Sequence, residues 1–450
     1  MASPGQTGFF DGLQSKNTEI AISDQHELVV LTDSTDWPDL ILTAHHIRAS
    51  KVRVDCGPQP RYRELLGAVM LMAVRSITFR QAEDLIAHYA PARYLCGLMD
   101  STWRPDHVTI FEFTQMMGPE GMDTLNRKSL LQAQASGLLD PKRMMSDTTA
   151  QEAMIPYPNE VGLMKRFAEL ALRNLRKVGG KFKGLKSEVK KIVSKVKGLA
   201  RRSHLFAKTK EAKSKIGKKL YHTTRGLQKL LDVAILEGHG CRTKAGKELE
   251  RLSGVMARLM PQILHFLNTG FVAPKKIIHL QASELYSIVR GKAGKSVEFG
   301  LKWGINRVDG FVLGFLINGG EHMSDQKFCI QAIKEHIQLF GEAPKTYGFD
   351  RGGYSKTNIK RAKKLGVKNV GIAPLGKAPW AVSEPKAERI RCERAQVEAT
   401  IGTAKSKKYG FNKPDAKSIR AMETYGHRSF LGMNLMKMVR ELAAQQTSMA

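Results

Sequence analysis

Cysteine is scarce and scattered in this chain. There are five in 450 residues, Cys56, Cys96, Cys241, Cys329 and Cys392, and no two stand in C-x-x-C spacing. That pattern excludes a disulfide framework and a clustered-thiolate zinc site, and leaves reduced thiols as the reading. No apolar run approaches the ~18 residues that a membrane-spanning helix needs. The opening residues, Met1 to Gln6, have neither the basic nor the apolar section of a secretory leader. Gly294-Lys295-Ser296 ends like a phosphate-binding loop, but Val289 stands where its first glycine belongs, so nucleotide hydrolysis is excluded. His45, His46, His239 and His322 lack partners at metal-ligand spacing. Acid is the other shortage: 42 Asp and Glu face 72 Lys and Arg, for a net charge of +30 and a pI near 9.9. An excess of this size attracts a polyanion and carries no information about fold. With hydrophobic residues at 42%, the chain is not a disordered one, and its length fits two to three domains. Nucleic acid is the expected partner, and a cytoplasmic, nucleoid-associated location is expected with it.

Periodicity divides the chain. Residues 1–25 are polar and irregular and read as a flexible arm. Residues 26–140 read as a helical domain. In it, an apolar helix over Arg63–Arg75 is followed by Thr78-Phe-Arg-Gln81, a capping box that opens a second helix. Two helices across a short turn suggest a helix-turn-helix, with Arg80 and Gln81 facing DNA. Gly137 to Pro141 is a loop, and Arg143–Thr149 a short strand. Residues 160–283 are an all-helical block. Between Arg173 and Lys229 it holds twenty Lys or Arg against two acids, Glu188 and Glu211, with apolar residues at helical spacing. So many like charges on helices call for a counter-anion, and a phosphate backbone supplies one. Lys190, Lys191, Arg201 and Arg202 are taken from this block as DNA contacts.

The period then changes to two. Val297, Phe299, Leu301 and Trp303 alternate with small or charged residues, and so do Phe311, Leu313, Phe315 and Ile317. Asp309-Gly310 between the runs is a hairpin turn signal. Helix, strand, helix, strand and helix follow, to about residue 406, and residues 407–450 form a helical tail. Met433, Met436 and Met438 in that tail, and Trp303 and Trp380, read as core. This order predicts an α/β fold with a mixed sheet: a ribonuclease-H-like core over 141–159 and 284–406, interrupted by the helical insertion.

Three acids stand where such a core places chemistry. Asp147 follows an apolar strand, Asp350 precedes a Gly-Gly turn after another, and Glu398 lies on the last helix of the core. Arg394 and Glu398 are four apart, and Lys405 is two turns further, so the three share roughly one helical face. Carboxylates are the ligands that hard divalent cations take, and phosphodiester cleavage uses two such ions about 4 Å apart. The expected cofactor is a pair of Mg²⁺ or Mn²⁺ ions held by Asp147, Asp350 and Glu398, which must converge for this to hold.

The sequence resembles bacterial insertion-sequence transposases of the DDE class, the ISNCY-like group in particular. In many of these the final acid sits in a Tyr-x2-Arg-x3-Glu-x6-Lys signature. Arg394, Glu398 and Lys405 match three of its positions, and Arg391 stands at the tyrosine. Asp147-Thr-Thr with the Ile-Pro-Tyr-Pro stretch at 155–158, the 291–300 segment, and Asp350-Arg-Gly-Gly-Tyr-Ser355 resemble other parts of that group. The resemblance spans roughly residues 60–435. It implies Asp147, Asp350 and Glu398 as the metal-binding triad. Arg394 and Lys405 would contact the DNA backbone, joined by Arg391 and Arg351. It also implies direct transesterification on double-stranded DNA, at element inverted repeats and then at target DNA, by a homodimer. A nuclease or recombinase that does not join DNA, and a transposase-derived DNA-binding protein without chemistry, are the alternatives.

Overall fold

The computed structural model describes residues 22–51, 59–178, 183–237, 243–289, 297–317, 324–374, 376 and 378–449. Most of the 1–25 arm, the 290–296 part of the resembling segment, Cys56, Cys241, His239 and His322 lie outside them. The chain divides into two units: residues 1–139 with 431–450, and residues 140–430.

The first unit is helical. It contains α1 (Glu27–Asp33), α2 (Trp37–Ala49), α3 (Tyr62–Arg75), α4 (Phe79–His88), α5 (Ala90–Leu95) and α6 (His107–Ala135). The predicted capping box is present at the start of α4. Thr78 accepts from the Gln81 amide, and Gln81 Oε1 accepts from the Thr78 amide at 2.9 Å. α3 ends on Ser76 in the left-handed region, and α3 and α4 meet at 111°. Taken together, those two are apolar enough to be weighed as a broken membrane span, but α3 is almost wholly buried in this unit's core. No single helix among the described residues is long and apolar enough to cross a membrane. α6 is broken at Gly118, whose φ of 63° and following proline interrupt it. Leu431, Leu435, Met436 and Val439 complete the core of this unit, so the methionine-rich run packs as expected.

The second unit is an α/β structure around an open, mixed six-stranded sheet. Its strands are β1 (Arg143–Glu152), β2 (Tyr286–Val289), β3 (Val297–Val308), β4 (Phe311–Leu316), β5 (Thr346–Phe349) and β6 (Asn369–Ile372), in the order β2-β3-β1-β5-β6. β3 pairs antiparallel with β1. Its other edge is shared by β2, at its start, and β4. β1, β5 and β6 run parallel. The β3–β4 turn is Asp309-Gly310, both with positive φ, as a two-residue hairpin requires. β2 went unread in the sequence, because four residues are too few to establish a period of two.

α11 (Asp325–Phe340) and α12 (Lys356–Lys364) cover one face of the sheet. Phe328 packs so tightly over Gly304 that a methyl there would come within 1.9 Å of the ring. α13 (Glu384–Lys405) and the first turns of α14 (Ile419–Met449) cover the other. Ile390 lies over Gly348 and Gly371, and Trp303 is fully buried against Phe411 and Phe430. Trp380 is half-buried against the Arg391 guanidinium, 5.1 Å from its ring centre.

Between β1 and β2 comes the insertion: α7 (Glu160–Lys177), α8 (Lys183–Leu205), α9 (Lys210–Leu236) and α10 (Lys244–Thr269). Each helix packs on the next and α10 packs back on α7, which makes a four-helix bundle. Its dry core includes Phe167, Val193, Leu220, Leu231, Met256 and Leu259.

Candidate active site

The sheet register brings the first two acids together. β1 and β5 pair Met144 with Tyr347 and Met145 with Gly348. Two residues on, the same alignment sets Asp147 beside Asp350. Side chains alternate along a strand, so both share a face with Met145 and Gly348, the face that Ile390 and Val397 of α13 cover. Arg394 and Glu398 lie one and two turns after Ile390, on the same stripe of α13. The three carboxylates therefore gather on one side of the sheet.

Electrostatics reports the same convergence. Burial pushes the Asp147 carboxyl up to about 6, from an ordinary 3.8, and the charges of Asp350 and Glu398 push it the same way. The hydrogen bond from the Thr148 amide, at 2.7 Å, and the Arg394 guanidinium act against them. Asp350 is half-buried, and its Oδ1 caps the turn at Arg351–Gly353 by accepting from the Gly352 amide at 2.9 Å. Glu398 is exposed.

Two expectations are corrected by this geometry. Asp147 is not at a strand end: β1 runs on to Glu152, and it is β5 that stops, after four residues, leaving Asp147 where β1 loses its parallel neighbour. The convergence is also electrostatic rather than ligating. Among the described residues, no three His, Cys, Asp or Glu side chains stand close enough together to hold a metal ion. The donors gathered there are carboxylate oxygens, and their like charges add to burial in raising the Asp147 carboxyl.

The cations divide into committed and free. Arg394 is half-buried beside Asp147. Lys405 approaches Glu298 of β3 at 3.8 Å. Arg391 is also held within the protein, by Glu384 at 2.9 Å and by Glu388. Gln81 directs its side-chain oxygen back into the capping box, so only its amide nitrogen remains for other contacts. Arg80, Arg351, Lys190, Lys191, Arg201 and Arg202 are exposed and form no ion pair among the described residues.

Another acid approaches Asp350 from the α11 side of the sheet. Asp325, the first residue of α11, receives the Lys302 ammonium at 2.7 Å and the Thr148 hydroxyl at 3.4 Å. A methyl on Gly352 would touch both Asp325 and Asp350. The nearness of Asp325 to Thr148 depends on the sheet register, which the sequence does not display. Comparison with family models, curated proteins and solved structures finds no match to this chain.

Proposed function

We propose that the chain is a DNA transposase of the DDE type with a ribonuclease-H-like core, cleaving at element ends and joining them to target DNA. One observation carries the reading: the charges of Asp350, just past β5, and of Glu398, on α13, add to burial in pushing the Asp147 carboxyl up to about 6. The sheet order around a central β1, with β5 and β6 parallel to it and an α-helix carrying the last acid, supports the fold assignment. The net charge of +30 supports DNA as partner.

In this reading Asp147, Asp350 and Glu398 hold two Mg²⁺ or Mn²⁺ ions. Such ions, if bound there, would supply charge to activate the attacking hydroxyl and to stabilise the departing oxygen. The protein's own groups do the rest. Arg394 provides a charge-assisted contact for a phosphodiester oxygen beside the acids. The Asp350 turn and the α13 stripe fix two carboxylates on rigid elements. Water attacks the phosphodiester, leaving a 5′-phosphate on one side and a 3′-OH on the other; that 3′-OH then attacks the target phosphodiester and displaces the target's own 3′-oxygen, which leaves as a hydroxyl, and no covalent bond to the protein forms.

The lack of a ligating trio among the described residues favours a second reading, a DNA-binding protein without chemistry. The two are separated by incubating the full chain with Mn²⁺ and DNA from either side of its gene, scored for nicks and joined products. Glu398→Gln is expected to lower cleavage roughly 100-fold or more while DNA binding persists. Equal cleavage by the variant, or none by the wild type, rejects the transposase.

A further inference from the structure

The insertion's bundle has two cationic grooves, and its helix order sets them on opposite sides. The helices pack in a ring, α7 on α8, α8 on α9, α9 on α10 and α10 on α7. In a square of that order, the α8/α9 side faces away from the α10/α7 side. The first side holds a groove of about 660 Å³. Lys195 and Arg202, seven apart on α8, line it with Lys219 of α9. Gly198 opens its floor, since a methyl there would meet nothing within 4 Å. The second side holds a groove of about 740 Å³, lined by Arg173 and Lys177 of α7 and Lys244 and Lys247 of α10. All seven cations are exposed, and none pairs with an acid among the described residues. In the second groove, Glu248 is taken by Arg251 at 2.8 Å and leaves those four uncompensated. The first turn of α10 carries no acid, so its lysines oppose the helix dipole until an anion covers them.

We infer that the bundle grips two separate DNA segments by their phosphate backbones, one in each groove, so that a single chain bridges them. Helices of ~10 Å diameter packed 8–10 Å apart make a bundle about 20 Å across. Duplex DNA, with a persistence length near 150 bp, does not fold around a body that narrow. One duplex therefore fills one groove. The inference rests on DNA being the partner, but not on cleavage.

The test is a bridging assay with the full chain: a biotinylated 40-bp duplex on beads, a second labelled duplex of unrelated sequence, and a parallel gel shift with one duplex. Wild type is expected to retain the labelled duplex. The triple variant Lys195→Glu, Arg202→Glu, Lys219→Glu and the quadruple variant Arg173→Glu, Lys177→Glu, Lys244→Glu, Lys247→Glu should each still shift one duplex while bridging falls at least tenfold. Gly198→Gln, which fills open space, should reproduce the first variant and serves as a control for folding. Bridging that survives loss of either groove overturns the inference, because a dimer using one groove per chain would behave so. Duplex binding without bridging by wild type overturns it as well. No duplex binding at all, or equal competition by vesicles of anionic lipid, overturns both it and the choice of DNA.

Discussion

Asp147 is the residue on which charge and burial meet. Its carboxyl, raised to about 6, favours the protonated form in the folded chain. Its contribution to stability is thus complete below its unfolded value, near 3.9, and is lost as pH rises through about 6. In metal-free buffer, Asp147→Asn should therefore unfold like wild type at pH 4 and be more stable by about 1 kcal/mol at pH 7, after allowing for partial exposure. Urea melts at the two pH values check this; a gap that does not grow with pH argues against it. Adding Mn²⁺ at pH 7 should raise the wild-type midpoint and leave the variant's nearly fixed. Of the residues gathered there, Asp147 and Asp350 stood out in the sequence because each follows an apolar run, and Glu398 because it shares a helical face with Arg394. The carboxylates beside Lys405 and Arg391 did not, since a helical wheel shows a shared face but not Glu298 or Glu384.

At the scale of elements, strong local chemistry read through to structure and weak patterns did not. The Thr78 capping box and the Asp309-Gly310 turn are fixed by neighbours in sequence, and both form. Thr78→Ala should cost about 1 kcal/mol in the first unit's unfolding, measured by urea denaturation. A change under 0.3 kcal/mol would show that the box contributes nothing. β2 was missed because it is only four residues long, and Asp325 because its partners come from β1 and β3. The close approach of α11 to the sheet is equally invisible in sequence. Gly304→Ala would drive a methyl into Phe328 and should destabilise by about 1–3 kcal/mol.

At the scale of the whole chain, composition spoke first and most plainly. With a net +30, and twenty cations in one helical block, binding to DNA should fall steeply with salt. A log–log slope of about −6 or steeper corresponds to some seven phosphates neutralised. Fluorescence anisotropy at several salt concentrations measures it, and a slope shallower than about −2 would remove the electrostatic basis of the partner. The α/β architecture with a helical insertion followed from the switch between periods of 3.6 and 2. That two sides of the insertion are cationic did not follow, because it depends on which helix packs on which.

The central claim is that Asp147, Asp350 and Glu398 act as one cation site. Calorimetric titration of Mn²⁺ into the full chain tests it most directly, with wild type, Asp147→Asn, Asp350→Asn and Glu398→Gln side by side. The account predicts saturable binding by wild type and a loss of at least about tenfold in affinity in every variant. Binding that survives any one of the three substitutions unchanged would contradict it.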